Sequence, residues 1–107
     1  MLYKFKSKAA GDLIMLEPNG RRVLEIIGKD AGPKGIILPE EMPAAIAALD
    51  AAIEREEAEQ KAAIAEATAQ GQVPPRFGDV SLRQRAVPFI DMLKRCSAAG
   101  KEIVWGV

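Results

Sequence analysis

From Pro43 the chain reads PAAIAALDAAIEREEAEQKAAIAEATAQ, 28 residues with no glycine or further proline before Gly71. Leu38 and Met42 both precede prolines, which disfavours helical dihedrals at those positions and sets the helix start at Pro43. Gly71 and the following Val-Pro-Pro stop the helix near Gln70. Ile46, Leu49 and Ile53 make a buried stripe for its first turns. Between Ile53 and Ile64 alanine is the only apolar side chain. A helix of this length spans about 42 Å, while a compact chain of this size has a radius of gyration of about 13 Å. The helix is therefore expected to overhang its domain as an acidic, Ala-rich arm at about 54–70, followed by a loop at 71–80. High alanine propensity and the Glu57–Lys61 spacing let such an arm persist with little core beneath it.

The remaining elements assemble around that helix. In LYKFKSK, Tyr3 and Phe5 alternate with lysines, which predicts a strand over Leu2–Ser7 with one dry and one wet face. AAGDLIML is ambiguous. Pro18 opens a helix over Pro18–Ile27, with Val23, Leu24, Ile26 and Ile27 on its apolar face and Gly28 at its end. GKDAGPKG is a connecting loop, and Ile36–Leu38 a short strand whose continuous apolar run suits a central position. Ser81 and Gln84 form a capping box for a third helix, with Leu82, Ala86, Phe89, Ile90, Leu93 and Cys96 along its apolar face, Pro88 inside it and Gly100 at its end. Ile103, Trp105 and Val107 fall on one side of a last strand that pairs with the first or second. The pattern predicts one α+β domain over residues 1–107. Its architecture would be two-layer, a small three-stranded sheet with three helices packed on one face, the second helix long and partly overhanging.

Composition limits the chemistry. Histidine is absent, and hydroxyl side chains are limited to Ser7, Ser81, Ser97, Thr68 and Tyr3. Histidine-based acid/base catalysis and Cys/His zinc sites are excluded, and no cofactor is expected. Cys96 is the lone cysteine, so no intramolecular disulfide forms, and the start MLYKFKSKAAGD lacks the apolar core of a secretion signal. No apolar run approaches the roughly 20 residues that span a bilayer. The expected setting is cytoplasmic, without a membrane partner.

Candidate sites are few. GKDAGPKG has Pro33 where a phosphate-binding loop needs glycine and Gly35 where it needs Ser or Thr, leaving Lys29 and Lys34 as solvated side chains. Glu54, Glu56, Glu57, Glu59 and Glu66 lack the histidines of helical-bundle metal sites and read as a solvated face. Cys96 reads as a packed thiol and Trp105 as a core or subunit-contact anchor. Arg76, Arg83 and Arg85 gather around the start of the third helix beside Phe77, the one basic cluster with an aromatic. Arginines there invite an anion, a phosphate or a carboxylate partner.

Fifteen basic and fifteen acidic residues cancel overall, but they divide unevenly. Residues 1–39 hold seven basic against four acidic, 40–70 two against eight, and 71–107 six against three. An acidic helix thus lies between two basic segments, a pattern suited to neutralisation within one chain or between copies. Net neutrality, few aromatics and the acidic helix disfavour nucleic acid as a partner.

Taken as a set, MLYKFKSKA, KGIILPEEMPAAIAALDAAI, VSLRQRAVPFIDMLKR and VWGV resemble domain-of-unknown-function family 1840. The resemblance implies a small intracellular bacterial protein and transfers no site residues. The residues themselves favour a binding or assembly module over an enzyme. Self-association through Ala58, Ala62, Ala63 and Ile64 gives a homo-oligomer. The alternative is a small-ligand enzyme or sensor that holds an acidic metabolite or phosphate at Arg76, Arg83 and Arg85.

Overall fold

A computed structural model describes residues 2–75 and 81–106. Along β1 (Leu2–Ser7) Tyr3 and Phe5 are buried, whereas Leu2 and Lys4 are exposed, as a period of two requires. The ambiguous segment is a second strand, β2 (Ala10–Leu16), antiparallel to β1 with Leu2 opposite Leu16, Tyr3 opposite Met15 and Phe5 opposite Leu13. The sheet therefore has four strands, where the sequence led us to expect three. The patterning of β2 is the physical reason for the difference. Its inward residues Leu13 and Met15 alternate with Ile14 and Leu16, which are equally apolar yet 56% and 61% exposed, so no polar/apolar period marks it.

Pro18 lies in the first turn of α1 (Glu17–Ile26), and Gly28, at φ +82°, follows its end. Val23 and Leu24 are buried, and Gly20 lies so close beneath the Tyr3 ring that a β-carbon there would collide with it. The loop that follows is tied down from three sides. Tyr3 Oη donates to the Ala31 carbonyl at 2.8 Å, Trp105 Nε1 donates to the Gly32 carbonyl at 3.1 Å, and Lys29 Nζ reaches Glu41 at 2.7 Å. Lys29 is thus an anchoring side chain, whereas the sequence led us to expect a solvated one.

β3 (Gly35–Ile37) is an edge strand, since the order is β2-β1-β4-β3 and every pairing is antiparallel. The central places belong to β1 and β4 (Ile103–Trp105), and β4 pairs with both β1 and β3. A continuous apolar run suggested burial on both faces of β3, but Ile37 is buried while Ile36 is 43% exposed. Gly35 lets the Trp105 indole lie directly on this strand, where a β-carbon would meet the ring.

A single 3-10 turn (Pro39–Glu41) leads into α2 (Met42–Ala69), one unbroken helix of 28 residues. Helix α3 (Leu82–Ala99) starts with the capping box: the Gln84 amide donates to Ser81 Oγ at 3.2 Å, and the Ser81 amide to Gln84 Oε1 at 3.0 Å. Gly100, in the left-handed region, closes it. The protein is thus α+β, and its described residues form three α-helices and a four-stranded antiparallel sheet. Phe5, Leu24, Ile37, Leu49, Phe89, Leu93, Cys96, Ile103 and Trp105 belong to one buried cluster drawn from both element types. Phe5 is its centre, with its ring 4.8 Å from Phe89 and 5.9 Å from Trp105. The molecule is elongated, 52 × 28 × 21 Å, with a radius of gyration of 15.9 Å.

Candidate functional site

The long helix changes character at its middle. Met42, Ala45, Leu49 and Ile53 are buried in the core, and Ile53 is the last α2 residue in that cluster. One turn later carboxylates take over. Glu56, with a side chain 18% exposed, accepts from Arg22 of α1 at 2.6 Å and from the Leu82 amide of α3 at 3.2 Å. Leu82 is the first residue of α3, so this carboxylate meets an amide that has no partner within its own helix and lies at the positive end of the helix dipole. Gln60 donates to Glu56 at 3.3 Å from the next turn. Glu57 grips Arg83 in a bidentate pair, Nε at 2.9 Å and Nη2 at 2.7 Å. The hydrogen bond from Arg83 holds the Glu57 carboxyl below its ordinary value, and the same bond raises Arg83.

This geometry bears on the arginine cluster. Arg83, exposed though it is, has spent its fork on Glu57. Arg85 is half-buried, while Arg76 and Phe77 lie outside the described residues. What the segment charges suggested as neutralisation is, at Glu56 and Glu57, intramolecular: two acidic side chains of α2 hold α1 and α3.

Beyond Gln60, α2 is mostly exposed. Ala58 and Ala62 are exposed, Ala63 is half-buried and Ile64 is 41% exposed. They do not share one face. At 100° per residue Ala58 and Ala62 lie together on the side turned from the core, whereas Ile64, eleven residues after Ile53, returns to the inward side. The outer side carries a pattern that a search for large apolar residues overlooks. Ala44, Ala51, Ala58 and Ala65 recur every seven residues and all are exposed, with Ala62 and Ala69 beside them. Glu54, Glu59 and Glu66 flank this seam and form no ion pair among the described residues. The seven-residue spacing of alanine was the signal available in the sequence.

A cleft of about 280 Å³ lies between Ile27, Lys29, Ile37, Glu41 and Ala45, just under the range of about 300–1,000 Å³ usual for ligand sites. Its charged groups, Lys29 and Glu41, satisfy one another at 2.7 Å. The Lys29 ammonium and then the Leu38 amide hold the Glu41 carboxyl below its ordinary value. Cys96 is fully buried. Among the described residues no group of three or more Asp, Glu, His or Cys is placed to hold a metal, and no helix is long and apolar enough to cross a membrane.

Fold and surfaces together define a small α+β protein whose distinguishing part is one long, half-anchored helix. Residues 1–105 match the family described as "Domain of unknown function (DUF1840)", and the chain belongs to that family. No curated protein and no solved structure matches it.

Proposed function

We propose that the protein is a small cytoplasmic assembly module that self-associates through the outer side of α2. One observation carries this reading: the exposed alanine seam continues over the whole helix, including the half that the core does not hold. Beyond the helix propensity that alanine supplies, small side chains let another element approach the helix backbone closely. Ala58, Ala62 and Ala65 are the contact, and Glu54, Glu59 and Glu66 are its charged rim. The domain beneath is two-layer, with the three helices on one side of the sheet and the distal part of α2 projecting beyond it. The alternation of buried and exposed residues on the strands and the 52 Å long axis support that arrangement. The free, buried Cys96 fits a reducing compartment. A phosphate or acidic metabolite at Arg76, Arg83 and Arg85 is the weaker reading, because Glu57 already occupies Arg83.

Light scattering tests the proposal. Mass above the monomer should rise with concentration, and Ala62→Arg should lower it while leaving the thermal melt unchanged. A wild type that stays monomeric at high concentration contradicts the reading.

A further inference from the structure

The second uncovered surface is the outer side of the sheet. Cross-strand register sets Leu16 beside Leu2, Ile14 beside Lys4, and Val104 between Lys6 and Ile36, so one surface crosses all four strands. Leu2, Ile14 and Leu16 are each more than half exposed and Ile36 is 43% exposed, a concentration of large apolar side chains that single scattered exposures do not produce. Its charge is mainly positive. Lys4 and Lys6 lie among these residues and Lys8 at the adjoining turn, against Asp12, which pairs with Lys4 at 3.5 Å, and Glu102, which lines a groove with Lys6, Lys8 and Val104.

We infer that this sheet surface is the seat for α2 of a second copy, whose alanine seam lies across Leu2, Ile14, Leu16 and Ile36 while Glu54, Glu59 and Glu66 meet the lysines. The inference rests on the self-association proposed above and names its counter-surface. Charge complementarity selects this pairing. Two sheet surfaces facing each other would oppose lysines, and two copies of α2 side by side would bring together helices that each hold six acidic residues against two basic. Helix on sheet opposes unlike charges, gives the sheet a second covered face and places alanine where close approach is needed. Four strands at about 4.8 Å spacing make a surface about 19 Å wide, crossed by about thirteen helical residues. That falls short of the roughly 800 Å² per partner of a standard interface, so the association is weak and needs high protein concentration to be seen. The contact is heterologous, helix to sheet, so a growing chain keeps one unused helix surface at one end and one unused sheet surface at the other.

Mixing two disabled variants tests this. Ile14→Glu/Leu16→Glu damages only the sheet surface, and Glu59→Lys/Glu66→Lys only the arm. Lys4→Glu is a second sheet variant that keeps the apolar residues, and circular dichroism melts establish that each variant is folded. In sedimentation velocity each variant alone should associate about tenfold or more weakly than wild type. An equimolar mixture of one sheet and one arm variant should recover a dimer and nothing larger. If the sheet variants associate like wild type, the contact is α2 on α2; if the arm variant does, it is sheet on sheet; either result overturns the inference and leaves self-association standing. A mixture that recovers nothing also overturns it. Monomeric wild type that pellets with phosphatidylserine vesicles, and loses this in Ile14→Glu/Leu16→Glu, assigns the surface to a lipid headgroup layer instead. Monomeric wild type without vesicle binding removes the self-association reading itself.

Discussion

The two halves of α2 are covalently one helix and physically two. From Met42 to Ile53 the helix is held by burial, with Met42 and Leu49 fully enclosed and Ile53 3% exposed. From Glu54 onward it is held first by two carboxylates and then, along most of its surface, by nothing in the core. Burial of a leucine is worth about 1.5–3 kcal/mol and is not screened by salt, whereas exposed ion pairs contribute little and are screened. The first half is therefore bound to the fold, and the second is free to serve another purpose while still ordered by its continuity with the first.

That contrast can be broken at its strong end first. Leu49→Ala removes a fully enclosed side chain and should cost about 2–5 kcal/mol in denaturant unfolding. A loss below about 1 kcal/mol would mean that the first half is not seated in the core as described. At the junction, Glu56→Ala strips the Leu82 amide and Arg22 of their partner and should cost about 1–2 kcal/mol. A larger loss for Glu56→Ala than for Leu49→Ala would reverse the comparison. The smallest effect is expected at Glu57. Its folded-state pKa lies below the unfolded value, so its contribution is present above the ordinary carboxylate range and is lost as pH falls through the depressed folded value. The melting-temperature gap between wild type and Glu57→Gln should accordingly be small at neutral pH and close on acidification. A gap that widens on acidification would contradict the Arg83 pairing.

These residues also explain what could be read in advance. The apolar stripe of α3, the Ser81 capping box and the alternation of β1 are local signals, set by period and by residue type, and they are present in the structure as the sequence indicates. Strand β2 was hidden because Ile14 and Leu16 face outward, so the surface chemistry on which we build the helix-on-sheet contact is the same feature that obscured the strand. The edge position of β3 depends on β4, which pairs with it from about 70 residues away, and no local pattern encodes that choice. The roles of Glu56 and Glu57 were equally illegible. A row of glutamates on a helix looks solvated until the fold brings Arg22, Leu82 and Arg83 to it. The exposed seam needed only seven-residue counting, with alanine accepted as an apolar contact residue.

Residue-resolved amide hydrogen exchange along α2, measured at low and at high protein concentration, tests the division of this helix most directly. The account predicts slow, concentration-independent exchange from the second turn of α2 to Glu57, and faster exchange from Ala58 to Ala69 that slows as concentration rises. Uniform protection of the whole helix at low concentration, or no slowing of the distal half at high concentration, would contradict it.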